Sequence, residues 1–128
     1  MVTAWQAADF GVPSLGLTYA STPEQIAAKS VELAAFTRAA LAGIKYASTH
    51  VDEAVDMVMK YAPEADRAHM RYMLETELAD GRPADGAGFG VQSAEQWSAL
   101  HDMLLKYKAL AIAVEIDQVF TTQFLAGK

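Results

Sequence analysis

The chain has no cysteine. Disulfides, thiolate nucleophiles and cysteine-built zinc sites are excluded together. Histidine is also scarce, with three in 128 residues. His50, His69 and His101 fall on three separate predicted helices, and none has a second ligand at metal-site spacing, so no metal site is expected. His50 is expected to open a helix, and His69 and His101 to sit at helix surfaces. No apolar run approaches the roughly 20 residues that span a bilayer, so no membrane-spanning helix is expected. The first residues lack the basic start and continuous apolar stretch of a signal peptide. If the protein is exported, its signal is expected to lie outside this chain. Basic residues are few, with 10 Lys and Arg against 16 Asp and Glu and a net charge of −6. The cations are scattered and form no stripe, which argues against a nucleic-acid partner.

Motifs of catalysis are missing as well. No G-x-S-x-G, H-E-x-x-H or kinase signature occurs. Gly86, Gly88 and Gly90 lack the Lys-Ser/Thr of a phosphate-binding loop and no strand leads into them, so they read as a loop between helices, with Phe89 as its anchor. Carboxylate pairs such as Glu53 with Asp56, or Glu75 with Glu77, read as solvated charge on helix faces. The sequence therefore points to no catalytic residues, no enzyme activity and no cofactor.

What is present is an apolar fraction of 52%, too high for intrinsic disorder, in a length that fits one domain over 1–128. Residues 14–20 read as a strand, with Leu15, Leu17 and Tyr19 on one face and Gly16, Thr18 and Ala20 on the other. Gly11-Val12-Pro13 reads as the turn before it. Helices are predicted over about 23–48, 51–62, 64–79, 93–108 and 117–125. Thr22 and Gln25 fit a capping box with Pro23 at the first helical position, and a break near Lys29-Ser30 is compatible with the pattern. Val51, Ala54, Val55, Val58 and Ala62 form an apolar stripe that Pro63 ends. Met70, Met73, Leu74 and Leu78 mark the next helix, closed by Gly81. Ser93 and Gln96 form a second capping box ahead of Trp97, Leu100, Leu104 and Leu105. Val119, Phe120 and Phe124 anchor the last helix. The fold class is mostly α with one or two β-strands. A lone strand needs a partner, and a second copy of the chain is the expected source.

Several runs, in order, resemble a known family. Ala8-Asp9-Phe10-Gly11-Val12-Pro13, Leu15-Gly16-Leu17 and Ser21-Thr22-Pro23-Glu24 are followed by Phe36-Thr37-Arg38-Ala39 with Gly43 and Tyr46-Ala47. Then come His50-Val51-Asp52-Glu53-Ala54-Val55, Ala94-Glu95-Gln96-Trp97 and Phe120-Thr121-Thr122-Gln123-Phe124-Leu125. Together they resemble the later part of the NMT1/THI5-like solute-binding proteins of ABC importers. Val51 stands where that family's helix start carries Pro, and Phe10 where relatives often carry Tyr.

The resemblance implies the C-terminal part of an α/β lobe of the type II periplasmic-binding-protein fold. It implies non-catalytic capture of a thiamine-precursor pyrimidine or a nitrate- or sulfonate-like solute, an ABC permease as partner, and a periplasmic location. A chain that works alone would be cytoplasmic. Trp5, Phe10, Gly11 and Ser14 are the candidate ligand-binding residues. Phe10 or Trp5 would stack on a ring, and Ser14 or a backbone N–H would donate to polar atoms. The other reading is a self-associating helical domain, a homodimer or higher homo-oligomer with no small-molecule ligand.

Overall fold

The computed structural model describes residues 7–13, 15, 16, 18–81 and 88–125. They are mostly helical. The order is a 3₁₀ turn at Ala7–Phe10, then α1 (Pro23–Ala28), α2 (Ser30–Thr49), α3 (Val51–Met59), α4 (Arg67–Asp80), α5 (Ala94–Lys106) and a 3₁₀ turn at Ile116–Gln118. None of the helices formed by the described residues is long and apolar enough to cross a membrane. The chain divides into two compact units, one of residues 1–20 with 92–123 and one of residues 21–91 with 124–128.

No strand forms among the described residues, which corrects the reading of 14–20 as one. Gly16 has φ +66°, outside the β region, so the alternation of Leu15 to Tyr19 cannot run on as a pleat. A strand also needs a ladder, and no described segment supplies one.

In the larger unit, the break foreseen near Lys29 separates α1 from α2, with Lys29 at φ −126° and ψ 33°. Thr22 caps α1 by accepting the Gln25 N–H at 3.3 Å. Six alanines among its 20 residues, from Ala34 to Ala47, suit α2 to a long helix. The chain turns at His50, whose amide donates to the Tyr46 carbonyl at 3.0 Å, and α3 begins one residue later. Along α3, Val55 is 1% exposed while Val51 and Ala54 are half-buried. Val58, the fourth residue of the expected stripe, is 47% exposed. The helix stops at Met59 rather than Ala62, and a turn leads to Pro63. Asp66 then caps α4, its carboxylate accepting the His69 N–H at 2.7 Å, so the helix starts at Arg67 rather than Glu64.

Antiparallel charge stripes join α3 to α4. Asp52 and Asp56 are one turn apart on α3, and Arg67 and Arg71 one turn apart on α4. Arg67 donates to Asp56 at 2.8 and 3.0 Å and reaches Asp52 at 3.4 Å. Arg71 pairs with Asp52 and, at 3.0 Å, with Glu75. The Arg71 guanidinium is the first cause, with Arg67 behind it, that holds the Asp52 carboxyl below its ordinary range. Gly81 closes α4 with its N–H on the Glu77 carbonyl at 2.9 Å, and at φ −77° it needs no left-handed freedom. Gly90, at φ +80°, does: an added Cβ would also meet Leu41 Cδ2 at 3.2 Å. Phe89 beside it is half-buried, as the anchoring role requires.

In the smaller unit, the capping box of α5 forms in full. Ser93 Oγ accepts the Gln96 N–H at 3.3 Å, and Gln96 Oε1 accepts the Ser93 N–H at 2.9 Å. The helix ends at Lys106 because Lys108 turns to φ 59°. The helix expected over 117–125 is one 3₁₀ turn at Ile116–Gln118, packed on α5. Val119 and Phe120 follow it outside any helix.

Val55 alone is buried among the described residues. Val31, Tyr61, Tyr107 and Ile112 are each at least 70% exposed.

Candidate functional site

The smaller unit holds an open depression. One wall is α5, which presents Ala94 and Ser98 one turn apart. The opposite wall is the segment from Glu115 through the 3₁₀ turn to Thr122. The open depression between them measures about 590 Å³, within the range of small-ligand sites. The Phe120 ring stacks on Trp97, with centroids 5.7 Å apart and planes 12° apart. Trp97 is itself fixed, its indole N–H donating to Gln92 Oε1 at 3.1 Å. An aromatic wall is therefore held from behind by a second ring and a hydrogen bond.

The charged residues lining this depression, Glu115 and Asp117, are both carboxylates. Ser98, Thr121 and Thr122 add hydroxyls, of which Thr121 Oγ1 accepts the Gln123 N–H at 3.3 Å. Such a lining offers a ring face and acceptors. It suits a flat solute with hydrogen-bond donors at its edge and repels an anion.

The far wall is tied to α5 through His101, which lies on the same face as Ala94 and Ser98. Its side chain is 15% exposed. The Val114 amide donates to Nε2 at 3.2 Å, and Nδ1 lies 3.1 Å from Asp102 Oδ1. His101 is thus a half-buried tether rather than the surface residue expected. A second depression, about 380 Å³, lies in the larger unit and is lined by Ser48, Val51, Glu75, Leu78 and Ala79. Its one charged residue, Glu75, is paired with Arg71.

Of the residues singled out from the sequence, Trp5 and Ser14 lie outside the described residues. Phe10 ends the first 3₁₀ turn and is 60% exposed. Gly11 follows at φ +67°, and the turn is closed by the Val12 N–H on the Ala7 carbonyl at 3.0 Å. This is the turn expected around Gly11, and neither Phe10 nor Gly11 lines either depression. Ser98, Glu115 and Asp117 belong to no motif, Thr122 enters only through the family resemblance, and Phe120 is expected from the sequence as a packing anchor. The local signal was the pair Glu115 and Asp117 flanking a β-branched residue, which reads equally well as solvated charge. No group of three or more potential metal ligands gathers among the described residues.

No family model matches the chain. No solved structure matches it. Among curated proteins it is similar to the riboflavin-binding protein RibY of Chloroflexus aurantiacus, at 28% identity over 110 residues. The alignment covers 81% of this chain and 31% of RibY. The chain thus spans about a third of the length of that relative.

Proposed function

We propose that this chain captures a small heteroaromatic solute without transforming it, as a component of a solute-binding protein of an importer. The likeness to a riboflavin-binding protein carries this reading. The order of motifs that resembles the NMT1/THI5-like group supports it, and with that group come an ABC permease as partner and a periplasmic setting. The depression between α5 and the Glu115–Thr122 segment is the proposed point of contact. Phe120 offers a face for a ring, and Glu115 and Asp117 offer acceptors for edge N–H or hydroxyl groups. Two carboxylates and no cation in the lining favour a flavin or aminopyrimidine over nitrate or a sulfonate.

Calorimetric titration with riboflavin, a thiamine-precursor aminopyrimidine, nitrate and taurine tests the reading. Binding is expected from one or both heteroaromatics and from neither anion. Phe120→Ala and the double change Glu115→Gln with Asp117→Asn should each weaken binding about tenfold or more, the effect of one lost stacking or charge-assisted contact. Silence toward both heteroaromatics refutes the proposal.

The exposed apolar surface favours a second reading, self-association. A native mass measurement checks it, and a monomer at working concentration overturns it. Gly16, at φ +66°, interrupts the extended run, which weighs against strand pairing as the route.

A further inference from the structure

We infer that His101 is a positioning residue whose protonation releases the far wall of the solute depression. The inference rests on the proposed function only for the consequence to binding; the tether itself is a geometric feature of the smaller unit. A backbone amide can only donate, so the Val114 N–H at 3.2 Å requires Nε2 to be the acceptor. The ring proton then sits on Nδ1, facing Asp102 Oδ1 at 3.1 Å. Gaining a proton at Nε2 turns the acceptor into a donor, and the imidazolium cannot hold the Val114 amide. Two N–H groups would then confront each other across that contact.

Val114 immediately precedes the wall. Between Leu110, whose amide donates to the Leu104 carbonyl at 3.1 Å, and the 3₁₀ turn at Ile116–Gln118, the His101 bond is the hydrogen bond that ties this stretch to α5. Residues 111–114 are otherwise exposed and carry no helix or strand. Asp102 faces the ring at 3.1 Å; on the packed elements the charged residues are Lys106 and Lys108 at the end of α5 and Glu115 and Asp117 on the wall. Asp102 still pairs with Nδ1–H in the cationic ring, while the Val114 contact is lost. Acidification supplies the proton at Nε2, so the Val114 tether is the acid-sensitive contact of this wall.

The test follows the Val114 amide and the Trp97 indole resonances by NMR from about pH 8 down to about pH 5, in the parent chain, in His101→Gln and in His101→Phe. In the parent, both resonances should move together with the His101 ring signals. His101→Gln keeps an oxygen acceptor at the same reach, so Val114 should stay in its bonded position at every pH. His101→Phe removes the acceptor and should show the released position throughout. Riboflavin titrations at the two ends of the range should show at least tenfold weaker binding at the acid end in the parent and none of that loss in His101→Gln. A Val114 amide indifferent to pH, or a response that survives in His101→Gln, overturns the inference. Should riboflavin not bind at either pH, the solute reading fails while the amide resonances still decide the tether.

Discussion

Replacing Val55 by Ala tests whether one side chain organises the larger unit. Val55 is 1% exposed, the one buried position among the described residues. The substitution deletes two methyl carbons, a transfer loss of about 1.6 kcal/mol at roughly 0.8 kcal/mol each. A residual cavity adds up to about 1 kcal/mol. Alanine is the better helix former by about 0.5 kcal/mol, which offsets part of this. The net loss is about 2 kcal/mol. In a unit of residues 21–91 with 124–128, each kcal/mol lowers the midpoint by about 4–8 °C, so a drop of about 8–16 °C is expected. Thermal unfolding followed by far-ultraviolet circular dichroism reads it. Val58→Ala is the matched control: the same chemistry on the same helix, at 47% exposure, with the propensity gain offsetting most of a burial loss about half as large. Its midpoint should fall by no more than about 3 °C. Equal shifts for the two variants would refute the placement of the core at Val55.

Two further outcomes follow from the helix ends and the charge stripes. Asp52→Asn removes the acceptor that Arg67 and Arg71 share, and the α3–α4 pair should lose stability in urea and become less sensitive to salt. Because the Asp52 carboxyl is held below its ordinary range, its contribution is complete above the unfolded-state value and fades as pH falls through the lower folded-state value. Urea midpoints of the parent and Asp52→Asn should therefore converge on acidification below the ordinary carboxylate range, and a gap that persists there would contradict the assignment. Ser93→Ala breaks both halves of the α5 capping box and should cost about 1 kcal/mol, read as faster hydrogen exchange at the amides of Gln96 and Trp97. Unchanged exchange would show that the cap does not hold the helix start.

What could be read from the sequence was local. Ser93 and Gln96 announce a helix start because the capping chemistry lies within four residues, and the structure forms it. The break at Lys29 was legible for the same reason. The stop of α3 at Met59, the Asp66 cap and the left-handed Lys108 were not, because each trades a helical residue for a turn that only the neighbouring helix justifies. Asp66 fits the N-cap preference as well as any residue, yet Pro63 with Glu64 gave a rival start three residues earlier. The strand over 14–20 failed on a non-local requirement, since alternation needs a paired ladder and Gly16 leaves the β region. The depression failed for the same kind of reason. Its residues come from 94–98 and 115–122, and no periodicity in either segment says that the two face each other.

That difference decides where function should be tested. The exposed apolar residues are spread over both units, so any measurement of association reports an average over many surfaces. The α5 wall is different in kind. The capping box, the Trp97–Phe120 stack and the His101–Val114 bond all lie within 92–123, one compact unit, and each involves specific atoms. A solute that enters between Ser98 and Phe120 must disturb at least one of them. A partner that covers Tyr61 or Val31, both in the other unit, engages none of those three contacts. Resonances of Trp97 and Val114, read together with the mass, therefore separate solute capture from self-association through the larger unit. Solute capture moves them at constant mass, and self-association through the larger unit changes the mass while leaving them in place.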